Sequence, residues 1–224
     1  MVGTSKIAIG RSFQRTIGTP QQGTHHDQGT RVLSTPDRPG PRSVYSSLAP
    51  THTNVVLGLP GIQRYVQNPV VPALNPDPIF DGVVEVWFPS LDVMRANGRS
   101  DYWPILVADE ERFIDRKTAE LLLIEDANPP PVVPGLKVFS LLKRPKGTTE
   151  LVFREAVSLQ ARRLDASVDF PMARRSTQPF VDAVVATTCR SAADHAGLIS
   201  PTEWEGSNWT VFSHLATEAR PIRI

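Results

Sequence analysis

Only one cysteine, Cys189, occurs in the 224 residues of the chain. A lone thiol excludes an intrachain disulfide and any cysteine-based zinc site, and it agrees with a reducing compartment. No run of 18 apolar residues is available for a membrane span, and the N-terminus lacks the apolar core of a secretory signal. The expectation is a soluble protein of the cytoplasm. An excess of either charge is also missing: Lys+Arg 24 against Asp+Glu 23 gives a formal net charge of +1, with no block of five or more Lys/Arg. Composition therefore offers no footprint for nucleic acid or an anionic membrane, and it directs attention to a small molecule or another protein chain as partner.

Proline is plentiful, and its placement divides the chain. Residues 1–50 are rich in Gly, Pro, Ser, Thr, Gln and Arg and contain Thr35-Pro36-Asp37-Arg38-Pro39-Gly40-Pro41-Arg42. Such a segment buries too little apolar surface to offset its ordering entropy, so it reads as a disordered tail with at most a weak strand at Lys6 to Ile9. An acid-poor, Arg/Ser-rich start has the composition of an organellar transit peptide, but no amphipathic helix accompanies it. Two adjacent histidines, His25 and His26, have no helix or strand to aim them, and no metal is expected there. The stretch Asn128 to Pro134 is a proline-rich spacer and the best boundary. It separates a first unit, residues 51–127, from a second, residues 136–224, with residues 128–135 as linker.

The surest strand is Phe80 to Phe88, which is crowded with β-branched and aromatic residues. Pleating puts Asp81, Val83, Glu85 and Trp87 on one face and Gly82, Val84, Val86 and Phe88 on the other. Before it, Leu59-Pro60-Gly61 marks a turn into a half-buried strand from Ile62 to Gln67. After it, Ser90 is a candidate helix N-cap, Pro104 interrupts or restarts the helical pattern, and Leu121 to Ile124 reads as a closing strand. In the second unit Leu136 to Leu142 is a strand, Arg144-Pro145-Lys146-Gly147 a turn, and the run from Thr149 a helix. Asp182-Ala183-Val184-Val185 echoes Asp81-Gly82-Val83-Val84, which predicts two degenerate copies of one unit about 100 residues long.

Taken together, Leu59 to Asn68, Phe80 to Phe88 and Ala108-Asp109-Glu110-Glu111-Arg112-Phe113-Ile114-Asp115 resemble the EthD-domain family, a branch of the dimeric α+β barrel proteins. The resemblance covers residues 52–126, and in the second unit Lys137 to Gly147 looks like the family's opening strand and turn. It implies an α+β fold of two ferredoxin-like βαββαβ units, their antiparallel sheets packed as a barrel formed within the chain or in a homodimer. On sequence alone the first unit has no opening strand and helix, because the Pro/Gly-rich tail stands in their place. The second has no counterpart of the Pro-Gly…Arg-Tyr…Asn strand.

His52 looks like the family's histidine ahead of the Leu-Pro-Gly turn, where an imidazole can exchange a proton near neutral pH. Tyr65 and Glu85 lie on neighbouring strands and are expected to face one pocket with it, which makes His52, Tyr65 and Glu85 the catalytic candidates. Arg64, Trp87, Asp109 and Phe113 are assigned to the substrate side, Asp109 fixing helix and loop geometry rather than performing catalysis. A structural pairing of Glu85 with Tyr65 or Arg64 remains the competing reading. Cys189 has only His195 as a nearby base, in poor geometry for a nucleophile. The resemblance implies an enzyme or accessory protein of oxidative, degradative or secondary metabolism, cofactor-independent and of the oxidoreductase class, or else an isomerase or lyase. Its partner is then a small apolar organic substrate. The alternative is a non-catalytic ligand-binding or assembly module.

Overall fold

In the computed structural model the described residues are 29–34, 50–75, 78–112, 119–124, 133–173, 178–198, 204 and 208–222. The first half runs β1 (Gly29–Ser34), α1 (Pro50–Leu57), β2 (Arg64–Pro69), β3 (Gly82–Trp87), α2 (Leu91–Asn97), α3 (Trp103–Glu110) and β4 (Glu120–Ile124). The second runs β5 (Gly135–Lys143), α4 (Glu150–Arg163), β6 (Ser167–Asp169), β7 (Ala183–Thr188), α5 (Ala192–Leu198) and β8 (Thr210–Ile222). Among the described residues, eight strands join one sheet in the order β4-β1-β3-β2-β8-β5-β7-β6. Each half thus has the order fourth, first, third, second of the ferredoxin-like unit. The strands Phe80 to Phe88 and Val181 to Cys189 take the same third place.

The two halves meet where β2 pairs with β8, through Tyr65↔Ile222, Val66↔Pro221 and Gln67↔Arg220. At the far edges, Ile124 bridges Pro171, and the Met172 N–H donates to the Leu123 carbonyl at 2.8 Å. The sheet therefore curls until β4 meets the residues just past β6, forming an α+β barrel inside one chain. Its interior packs Val70, Phe80, Val83, Leu122 and Ile124 of the first half against Phe139, Leu141, Val184, Ala186 and Leu215 of the second. Helices cover the outside, with Val56, Leu59, Tyr65, Val86, Phe88 and Leu106 forming the layer between sheet and helices in the first half.

Two sequence expectations need correction. The opening strand and helix of the first unit do exist, as β1 and α1, and they lie within or at the edge of the tail read as disordered. β1 is central, paired antiparallel with both β3 and β4. Pairing on both sides satisfies its backbone, which outweighs a polar composition and weak intrinsic preference. The second unit's missing strand is present too, in the three residues of β6. The Lys6 to Ile9 strand, most of the proline spacer and Phe113 lie outside the described residues.

Local signals elsewhere hold. The Ser90 hydroxyl caps α2 by accepting from the Val93 N–H at 3.2 Å, and Pro104 stands in the first turn of α3. Gly61 adopts φ +76°, and a Cβ there would come 2.7 Å from a Val93 methyl. Only glycine makes that turn without strain, and the turn sets the angle between α1 and β2.

Candidate functional site

His52 lies on α1 and Asp109 in the last turn of α3, so packing of two helices over the sheet brings together residues 57 apart in sequence. The His52 Nδ1 and Asp109 Oδ2 are 2.6 Å apart, and both side chains are buried. A carboxylate can only accept, so in neutral His52 the Nδ1 carries the hydrogen and Nε2 the lone pair. Burial lowers the His52 pKa below the ordinary imidazole value; the Asp109 bond and charge oppose that, and the Arg112 charge adds to it. Neutral imidazole is therefore the resting form at neutral pH. The other Asp109 oxygen, Oδ1, accepts from Arg112 Nη2, while Arg112 Nε donates to the Asp109 backbone carbonyl at 3.3 Å.

The ring of Tyr65, on β2, stands in a T-shaped arrangement with that of His52, with centroids 6.5 Å apart and planes at 75°. Its oxygen accepts from Gln67 Nε2 at 2.9 Å, and the same amide nitrogen donates to Thr53 Oγ1 at 3.2 Å. Because Gln67 donates in this bond, the phenol's own hydrogen is not used in it. Burial raises the Tyr65 pKa above the ordinary phenol value, with Glu110 and Asp109 adding to the effect, so the phenol stays protonated.

Glu85 does not join them. In the β2–β3 register Tyr65 opposes Val86, and Glu85 opposes Val66. Residues directly opposite share a face, so Tyr65 and Gln67 point to the helices while Glu85 points into the barrel. The expectation that Tyr65 and Glu85 face one pocket is therefore corrected: the observed register puts them on opposite faces of the sheet. At 1% exposure, Glu85 accepts from Lys137 Nζ at 2.8 Å and from Asn68 Nδ2 at 3.0 Å. Asn68 also donates to the Val83 carbonyl at 2.9 Å. Trp87 is on the Glu85 face, with the Arg64 guanidinium 5.0 Å from its ring centroid, and Lys137 lies 4.6 Å from the Phe139 ring centroid.

The candidates thus divide into two places. His52, Asp109 and Tyr65 come together on the helix side; Glu85, Trp87 and Arg64 belong to the other side of the sheet. Asp109 has become the imidazole's direct partner. Gln67 and Arg112 were missed, although Gln67 alternates with Tyr65 and Arg112 stands three residues after Asp109, just past the end of α3. Lys137 comes from the other half of the chain and gave no local signal.

The second half holds a different cluster. Ser140 Oγ and His214 Nδ1 are 2.8 Å apart, and the His214 and Trp204 ring centroids are separated by 5.6 Å. Burial, then the neighbouring His195, pushes the His214 pKa down to about 4. The Cys189 thiol is buried and pushed up to about 11, mainly by desolvation, which leaves it a poor nucleophile. Among the described residues no three His, Cys, Asp or Glu side chains stand together as a metal site. No described helix is long and apolar enough to cross a membrane.

Residues 40–117 match the model of the EthD domain. No curated protein matches the chain in sequence. Among solved structures, an anthrone oxidase-like protein superposes with TM-score 0.58 at 10% identity, covering 88% of this chain and 94% of its own. A putative chlorite dismutase follows with TM-score 0.53 at 9% identity, covering 86% and 94%. The chlorite dismutase from Candidatus Nitrospira defluvii gives 0.51 at 10% identity, covering 87% and 91%. Identities this low speak for the fold alone. The residues that carry the His52–Asp109 pair, with β2 and β3 beneath it, therefore lie within the stretch that is similar to the EthD domain, in a chain whose fold is like that of these solved structures.

Proposed function

We propose that the chain is a cofactor-independent enzyme acting on a small, largely apolar organic molecule, with His52 as general base. The observation that carries this reading is the buried His52–Asp109 pair beside the Tyr65 phenol. A neutral imidazole held by a carboxylate accepts a proton at Nε2, and the imidazolium formed is stabilised by Asp109. Tyr65, protonated at all physiological pH values, donates a hydrogen bond to an oxygen that gains charge. A base and a phenol donor held this close suit removal of a proton from a carbon activated by a neighbouring carbonyl. In the oxidoreductase form of this reading, dioxygen then oxidises the carbanion, so that a CH₂ group and O₂ become a carbonyl and water. The fold of the anthrone oxidase-like protein makes anthrones the first compounds to try.

The test is incorporation of solvent deuterium into a panel of anthrones and related cyclic ketones, followed by mass spectrometry, with oxygen consumption recorded in parallel. His52→Gln and Asp109→Asn are expected to slow exchange by about 10²–10⁴-fold. Wild-type exchange that survives His52→Gln unchanged would overturn the assignment. The second reading, a non-catalytic binding module, draws on the complete burial of Tyr65; it predicts ligand binding with no exchange in any variant.

The same strand order in both halves supports reading the chain as a tandem repeat of one unit, the first extended to Gly29. We also place the reaction in the cytoplasm.

A further inference from the structure

We propose that Arg112 is a positioning residue of this site, its guanidinium holding the Asp109 carboxylate so that Oδ2 faces His52 Nδ1 and the imidazole keeps its lone pair on Nε2. The inference rests on the reading of His52 as base and adds the device that fixes the base's tautomer.

Asp109 is the hinge of the arrangement. Its side chain is 5% exposed, yet the Arg112 side chain that binds it is 62% exposed, so the guanidinium lies between the buried pair and solvent. Two contacts define the clamp: Nη2 to Oδ1 and Nε to the Asp109 carbonyl. One end of the rigid guanidinium plane bonds the carboxylate and the other the main-chain carbonyl of the same residue, which ties the carboxylate to its own backbone and restrains its rotation in a way a point charge would not. With Oδ1 committed to Arg112, Oδ2 is the oxygen presented to α1. The cation also stands beyond the C-terminal end of α3, next to its last carbonyls, where positive charge is favoured.

The groups around His52 set what Arg112 changes. Asp109 from α3 raises the imidazole's affinity for a proton and Arg112 lowers it. Tyr65 from β2 stays protonated and uncharged, and Glu110 from α3 acts on the Tyr65 phenol. Removing the guanidinium therefore has two separable effects. One is electrostatic: His52 titrates at higher pH. The other is geometric: the carboxylate turns more freely, and the imidazole hydrogen is shared between Nδ1 and Nε2.

The experiment is nitrogen-15 NMR of the His52 ring in the whole chain, with a pH titration, which needs no substrate. The wild type is expected to show the Nδ1–H form. Arg112→Met is expected to move the titration midpoint up, by the small step an exposed charge gives, and to produce a mixed tautomer. Arg112→Lys keeps the charge and loses the fork, so it should hold the midpoint near the wild type while the tautomer still mixes. Should Arg112→Met not fold, Arg112→Lys alone decides the geometric claim. A His52 ring with unchanged tautomer in the variants, whatever happens to the melting temperature, would overturn the proposal. That result would leave His52 as base intact, whereas loss of the deuterium exchange reading would leave the clamp standing.

Discussion

Glu85→Gln keeps the side chain's shape but leaves Lys137 inside the barrel without the carboxylate bonded to it. Breaking a buried pair by neutralising one partner typically destabilises by about 3–5 kcal/mol, and the slight exposure of Lys137 places this case at roughly 2–3 kcal/mol. The variant should melt earlier in thermal denaturation while His52-dependent exchange changes little, because the two sites lie on opposite faces. Loss of exchange at full stability would show that the barrel interior takes part in the chemistry. A second residue-scale prediction concerns acid. Between pH 6.5 and about 4 the unfolded chain binds a proton that folded His214 does not, so stability falls as pH drops through that window. His52 and His195 act in the same direction. Asp81 opposes them, since burial raises its pKa from 3.8 to about 6 and the folded state holds that proton more tightly in between. The melting temperature should decline from pH 7 to 4.5, and His214→Asn should flatten the decline; an unaltered slope in that variant would remove His214 as its cause. Tyr65, His52 and Asp109 were all legible as polar residues among apolar ones. What sequence left open was register: one residue of slip exchanges every face, and Lys137 arrives from 52 residues beyond Glu85 with no local trace.

Among the elements, the turn from α1 into β2 is fixed by Gly61. A side chain at φ +76° costs about 1–2 kcal/mol, and the Cβ must also displace a Val93 methyl 2.7 Å away. Gly61→Ala should therefore lower stability by about 2 kcal/mol, read from urea denaturation, and should disturb the site by changing how α1 presents His52. A neutral outcome would mean that the turn relaxes freely. β3, β5 and β7 were readable because runs such as Val-Val-Glu-Val-Trp and Ala-Val-Val-Ala mark buried strands by themselves. β1, with the sequence Gly-Thr-Arg-Val-Leu-Ser, has no such signature. It is a strand because of its two neighbours, and composition averaged over a Pro/Gly-rich region conceals it.

For the whole molecule, the interior cluster draws side chains from both halves, so neither half completes the barrel core without the other. Unfolding in urea should follow one cooperative transition, with tryptophan fluorescence and far-ultraviolet circular dichroism coinciding. Two separated transitions would show halves that fold independently. The seam depends on β8, which pairs with β5 along most of its length and with β2 at its end. During synthesis β8 is the last of the eight strands to leave the ribosome. Until it does, the growing chain presents the open hydrogen-bonding edge of β2, and a message broken before Thr210 yields a product that keeps that edge bare, ready to pair with other chains.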